Sequence, residues 1–189
     1  PEVKMVGGRV VPMETKPDDG WALAPEALRA AITPKTRALI LNSPNNPTGG
    51  AYDRAGLEAI AEVLREQEIW VISDEIYRQI TFDGFEQLSL VTVAPDLADR
   101  ILVVDGVSKT YSMTGWRVGW GVGPAPLITA ISRLAAQVTS CAPAISQKAA
   151  ISAIEGGSDF IAPWLEQLQA RRDHIVDGLE ALDGVRCAR

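Results

Sequence analysis

Three short apolar runs without polar alternation punctuate the chain, at residues 37–42 (Arg-Ala-Leu-Ile-Leu-Asn), 69–73 (Ile-Trp-Val-Ile-Ser) and 101–105 (Ile-Leu-Val-Val-Asp). Each is shorter than a usual helix and is bounded by polar or turn-forming residues. Such runs read as strands covered by helices on both faces, the pattern of a parallel sheet. Between the first two, Asp53 is a suitable N-cap, and Leu57, Ile60, Ala61 and Leu64 fall on one face of a helix reaching about Gln67. Residues 118–122 (Val-Gly-Trp-Gly-Val), stopped by Pro124, read as a further strand, and residues 126–137, 144–154 and 158–182 as helices. Trp70, inside a strand, is expected in the core. Pro17-Asp18-Asp19-Gly20 reads as a surface turn. The fold class predicted is α/β, a three-layer α/β/α sandwich around a mostly parallel sheet. No repeat, low-complexity tract or linker divides it.

Composition narrows the function more than the fold. The 189 residues are 47% hydrophobic and 22% charged, enough for one sizeable core. A formal net charge of −6 argues against a nucleic-acid or anionic-membrane surface, since both favour basic patches. No apolar stretch approaches the roughly 20 residues of a membrane span, and residues 1–4 do not resemble a signal sequence. Cys141 and Cys187 lie far apart and form no metal or redox motif, which suits a reduced cytoplasmic setting. His174 is the sole histidine and follows Arg171, Arg172 and Asp173 on a polar helical stretch, so it reads as solvent-exposed. No metal site is predicted.

Chemistry concentrates just past the carboxyl ends of the three strands, where open α/β sheets place ligands. After the third comes Ser108-Lys109-Thr110-Tyr111-Ser112-Met113-Thr114-Gly115-Trp116-Arg117. A lysine amine here can form a Schiff base with a carbonyl compound, while the hydroxyls and a guanidinium can hold a phosphate. Pyridoxal phosphate needs both. After the first strand comes Asn42-Ser43-Pro44-Asn45-Asn46-Pro47-Thr48-Gly49-Gly50, which suits a turn, and either X-Pro bond could be cis. After the second comes Asp74-Glu75-Ile76-Tyr77. An acid and a tyrosine so spaced can address a ring nitrogen and a ring oxygen together; helix capping is the plainer alternative.

In this order the three segments resemble those of the class I aminotransferases of the aspartate aminotransferase superfamily (fold type I), and Gly106 to Trp120 looks most like the bacterial aspartate and broad-specificity branch. The resemblance covers nearly the whole chain. It implies a pyridoxal 5'-phosphate enzyme moving an amino group between an L-amino acid and a 2-oxo acid, with Lys109 as the aldimine lysine and proton-transfer group. Asp74 would pair with the pyridine nitrogen, Tyr77 and Asn46 would bond the ring oxygen, and Arg117 with Ser108 would hold the phosphate. Gly106 stands where the family often has a second phosphate-binding serine.

The same resemblance implies a homodimer, and Ser140, Cys141 and Pro143, which begin a helix, are expected to approach the partner subunit. It assigns residues 1–189 to part of the cofactor-binding large domain, with the helix from about residue 158 leading toward a small domain. The family's Gly/Ser-rich phosphate loop, its ring-stacking aromatic residue and its carboxylate-binding arginine have no counterpart here, so the chain is expected to be an internal fragment. Other fold type I chemistry, such as C–S lysis or adenosylmethionine cyclisation, stays open, as does a sensor domain fused to a DNA-binding winged helix. Glu75 is expected as a cap or salt-bridge partner, and Trp116 and Trp120 as core or pocket wall.

Overall fold

The computed structural model describes residues 1–157 and 159–187. In chain order the elements are α1 (Glu2–Met5), α2 (Pro25–Ala31), β1 (Ala38–Asn42), α3 (Arg54–Arg65), β2 (Trp70–Asp74), α4 (Leu90–Val93), β3 (Ile101–Gly106), β4 (Gly119–Val122), α5 (Ala125–Val138), α6 (Ala144–Glu155) and α7 (Ile161–Glu180). All three apolar runs are strands within a residue of their expected bounds. The helix start expected at Ser158 lies outside the described residues. Pro17–Asp19 form a short 3-10 turn closed by Gly20 in the left-handed region.

The four strands form one sheet in the order β1-β2-β3-β4. β1, β2 and β3 run parallel, with Asn42 beside Asp74 and Asp74 beside Val104, while β4 returns antiparallel to β3. This register brings the carboxyl ends of the three parallel strands together. Asn42 and Asp74 close adjacent strands, and Lys109 follows three residues after the end of β3.

Alternation along each strand separates two faces. Leu39, Leu41, Val71 and Ile101 point into the main core, where they meet Leu28 of α2, Leu57, Ile60, Ala61 and Leu64 of α3, and Leu90 of α4. Asp53 caps α3 as expected, accepting the Gly56 amide at 2.7 Å. The residues between them face the other way. There α5 approaches only the β3–β4 side, with Ile128 and Leu102 side chains meeting where a Cβ on Gly121 would stand. Over β1 and β2 no element among the described residues covers this face, and Ile40 is 56% and Trp70 42% exposed. Trp70 is therefore no core residue: the step of one position from Val71 turns it away from the helices.

Candidate active site

At the end of β1 the asparagine-rich turn is organised around two side chains. Asn42 Oδ1 accepts from Asn45 Nδ2 and from the Asn46 amide, while its Nδ2 donates to the Asp74 carbonyl at 3.1 Å. Asn45 Oδ1 in turn accepts from the Thr48 amide and hydroxyl. The Ser43–Pro44 and Asn46–Pro47 peptide bonds are both cis. This network presents the Asn46 amide to the neighbouring strand end, where its Nδ2 donates to the Tyr77 hydroxyl at 3.2 Å. Two residues foreseen as partners of one ring oxygen thus meet across a sequence separation of 31.

Asp74 and Glu75 are consecutive acids in different surroundings. Asp74 is half-buried; its Oδ1 accepts the Ile76 amide at 3.2 Å, and it is paired with no cation among the described residues. Glu75 continues the ladder through its amide to Val104 O and turns its side chain to the helix-covered face, only 3% exposed. Its Oε1 accepts hydroxyl hydrogens from Ser73 at 2.8 Å and Ser89 at 2.7 Å. The expected cap or salt-bridge role is corrected: Glu75 is a buried acceptor joining the end of β2 to the start of α4. The short range of Ser73, two positions back on the same face, explains that choice.

Lys109 lies in a turn after β3, with its Nζ 5.5 Å from the centroid of the Tyr77 ring, within the range where a cation meets the ring's negative face. Lys109, Tyr77 and Asn46 form a continuous chain of contacts, and Asp74 lies at the base of the segment that carries Tyr77. The phosphate end is less drawn together. Ser108 is half-buried; Arg117 is exposed, in the left-handed region at φ 54°, and its Nη1 donates to the Thr114 carbonyl at 2.9 Å. No hydrogen bond joins Arg117 to Ser108 among the described residues.

Gly106 has a steric reason. A Cβ there would lie 2.9 Å from both Gly119 Cα and Val118 O, because β4 crosses close against the end of β3. A serine at this position would push backbone apart. Trp116 is 42% exposed and does not belong to the core. Trp120 pairs with Asp105 across β3 and β4 and lines a cleft of about 300 Å³ with Arg78, Thr110 and Ile154. His174 is exposed, as expected.

Two parts of the site were not foreseen. Asn42 supports Asn46, though only its place at a strand end hinted at a role. Arg78 Nε pairs with Asp105 Oδ2 at 2.7 Å, and Asp105 Oδ1 also accepts the Gly106 amide at 2.7 Å. Burial holds the Asp105 carboxyl above its usual range, against the lowering effects of that amide and of Arg78. A larger cleft of about 400 Å³ runs between residues 9–13 and β1; it reaches Asn42 and Asn45 but not Lys109, Asp74 or Tyr77. The chemically loaded side chains mark the site better than cavity size does.

Over residues 1–189 the chain matches the family Aminotransferase class I and II. It is 43% identical over 186 residues to an aspartate aminotransferase of Rhizobium meliloti (strain 1021), covering 98% of this chain and 45% of that protein. An aspartate/prephenate aminotransferase of Cereibacter sphaeroides is 44% identical over 186 residues, with 98% of this chain and 46% of that protein covered. Among solved structures, the aspartate aminotransferase from Rhizobium meliloti superposes with a TM-score of 0.96 at 43% identity, across 98% of this chain and 46% of that one. The chain spans somewhat less than half the length of these relatives.

Proposed function

This chain belongs to the class I and II aminotransferases, and from that premise we propose that it is the cofactor-holding part of a pyridoxal 5'-phosphate-dependent aminotransferase. The amino group would pass between an L-amino acid (aspartate or a broader set) and a 2-oxo acid. The observation that carries the proposal is the convergence at adjacent strand ends of a lysine amine on a tyrosine ring, an asparagine amide on that tyrosine's hydroxyl, and a carboxylate paired with no cation among the described residues. This donor set fits the cofactor's aldehyde, ring oxygen and ring nitrogen.

When bound, the cofactor supplies a carbonyl that reacts with amines and a cationic ring that accepts the electron pair left by a departing proton. Lys109 would provide the amine nucleophile toward that carbonyl and, as a positioned base, would move a proton at the substrate α-carbon. Asp74 would accept from the ring N–H and so favour the protonated nitrogen. Tyr77 and Asn46 bond the ring oxygen as a pair. Ser108 and the guanidinium hydrogens of Arg117 not given to Thr114 bind the phosphate. Residues 1–189 then form part of the cofactor-binding large domain, α7 leads toward a small domain, and the working form is a cytoplasmic homodimer.

The test is chemical. Borohydride reduction of the gene product loaded with pyridoxal 5'-phosphate should leave the label on the peptide containing Lys109. Lys109→Ala should lose that label, and transfer from aspartate to 2-oxoglutarate should fall by roughly 10²–10⁴-fold. Labelling at another lysine would overturn the assignment, as would undiminished turnover in Lys109→Ala.

A further inference from the structure

Tyr77 and Lys109 stand on different segments, and little polar structure joins them. The last ladder-type bond between β2 and β3 runs from the Glu75 amide to Val104 O. Beyond it, among the described residues, the hydrogen-bonded link between the Tyr77 segment and the end of β3 is Arg78–Asp105, 2.7 Å apart. Arg78 directly follows Tyr77 in sequence, and its own amide donates to Glu75 O, so the turn carrying both is tight. Asp105 is four residues before Lys109, and its side chain is 7% exposed. Its second oxygen holds the Gly106 amide, which fixes the carboxylate from its own strand. Asp105 is buried at the sheet end, Arg78 is half-exposed beside it in the cleft lined by Thr110 and Trp120, and the Asp74 carboxylate is near enough to act on Asp105 electrostatically.

On the reading proposed above, we infer that Arg78 and Asp105 form a positioning pair, which sets the Tyr77 ring and hydroxyl against Lys109. An ion pair between a buried carboxylate and a half-exposed guanidinium adds little net stability, because desolvation and solvent screening offset the attraction. Its directional bonds instead constrain where two segments sit. Misplacement of reacting groups by about 1 Å can cost on the order of 10²-fold in rate. The same loop has a second anchor that serves as an internal control. At its tip, Asp83 accepts from Arg172 of α7 at 2.6 and 3.1 Å, and Gln169 exchanges hydrogen bonds with Asp83. That anchor holds the loop at Asp83, past the tight turn that carries Tyr77 and Arg78, and should steady the loop without setting the ring.

The experiment compares Arg78→Ala, Arg78→Lys, Asp105→Asn and Arg172→Ala in the full gene product titrated with pyridoxal 5'-phosphate. The readouts are cofactor Kd, the position of the visible band of the bound cofactor, thermal midpoint, and kcat and KM. Arg78→Ala should move the visible band and lower kcat by roughly 10–10²-fold with KM unchanged. Arg78→Lys, which keeps the charge without the fixed fork, should recover part of the loss. Arg172→Ala should lower only the thermal midpoint. If Arg78→Ala does not fold, Asp105→Asn carries the test, with a smaller shift in the same direction because the amide oxygen still accepts. An unmoved band and kcat in the folded variant would overturn the positioning role, as would equal changes in Arg172→Ala. A native protein that gives no visible band would instead overturn the functional reading, and this inference with it.

Discussion

The two faces of the sheet, one residue apart along every strand, do different work. On the covered face Leu41 is 5% exposed, Val71 1% and Glu75 3%, all packed under α2, α3 and α4 or held by serine hydroxyls. On the other face, over β1 and β2, Ile40 and Trp70 are exposed and Asp74 is half-buried. Strand alternation therefore separates packing from chemistry. A side chain can be locked in the core while its neighbour, sharing the same backbone order, meets a ligand. The rigidity that an active site requires is supplied from behind.

The sharpest way to break that comparison is at the consecutive acids. Asp74→Asn should slow α-proton removal in the loaded protein by about 10²–10³-fold, the usual scale for losing one fixed electrostatic contact. Glu75→Gln should leave the same single-turnover rate unchanged and lower only the thermal midpoint. Equal kinetic losses would show that the faces are not independent.

Packing offers the next contrast. Leu41→Ala should cost about 2–3 kcal/mol, the lower part of the range for a buried leucine, because β1 ends the sheet among the described residues and can partly collapse. Ile40→Ala, on the open face, should cost less than about 1 kcal/mol. Denaturant unfolding of the two variants decides it, and similar losses would mean that the open face is covered in solution.

Gly106→Ser probes where the faces meet. The added Cβ strikes β4 backbone, so stability should fall by about 1–3 kcal/mol. Its hydroxyl should bring no gain in cofactor affinity. Unchanged stability with tighter cofactor binding would show that β4 yields easily.

The smallest effect concerns pH. Burial raises the folded-state pKa of Asp105 above its unfolded value. Its contribution is therefore fully present below the unfolded pKa and is lost as pH rises through the folded one. Asp105→Asn, which does not titrate, should gain on the native chain in thermal midpoint between acid and neutral pH. A difference that moves the other way would mean that Arg78 more than offsets the burial.

Strand positions, the α3 cap and the three chemical segments were legible because they depend on local rules: apolar runs, an aspartate before a helical stripe, turn formers after a strand. The likeness to aminotransferases rested on such segments in order. The helix-flanked, mostly parallel sheet inferred from uninterrupted apolar runs is the fold observed, with α5 over β3 and β4; among the described residues nothing covers Ile40 or Trp70. A periodic pattern reports that a side chain is apolar and says nothing of whether a partner lies over it.

Other features belong to long-range geometry. That Asn46 meets Tyr77, that Glu75 binds two serines, and that Arg78 reaches Asp105 all follow from strand register and loop path. So does the need for glycine at 106, which arises from the approach of a strand 13 residues further on. Residue types and their order determined which groups were available to this protein, because backbone propensity and periodicity act over a few residues. Which of those groups face one another was decided by the folded sheet, because it alone brings distant segments within bonding distance.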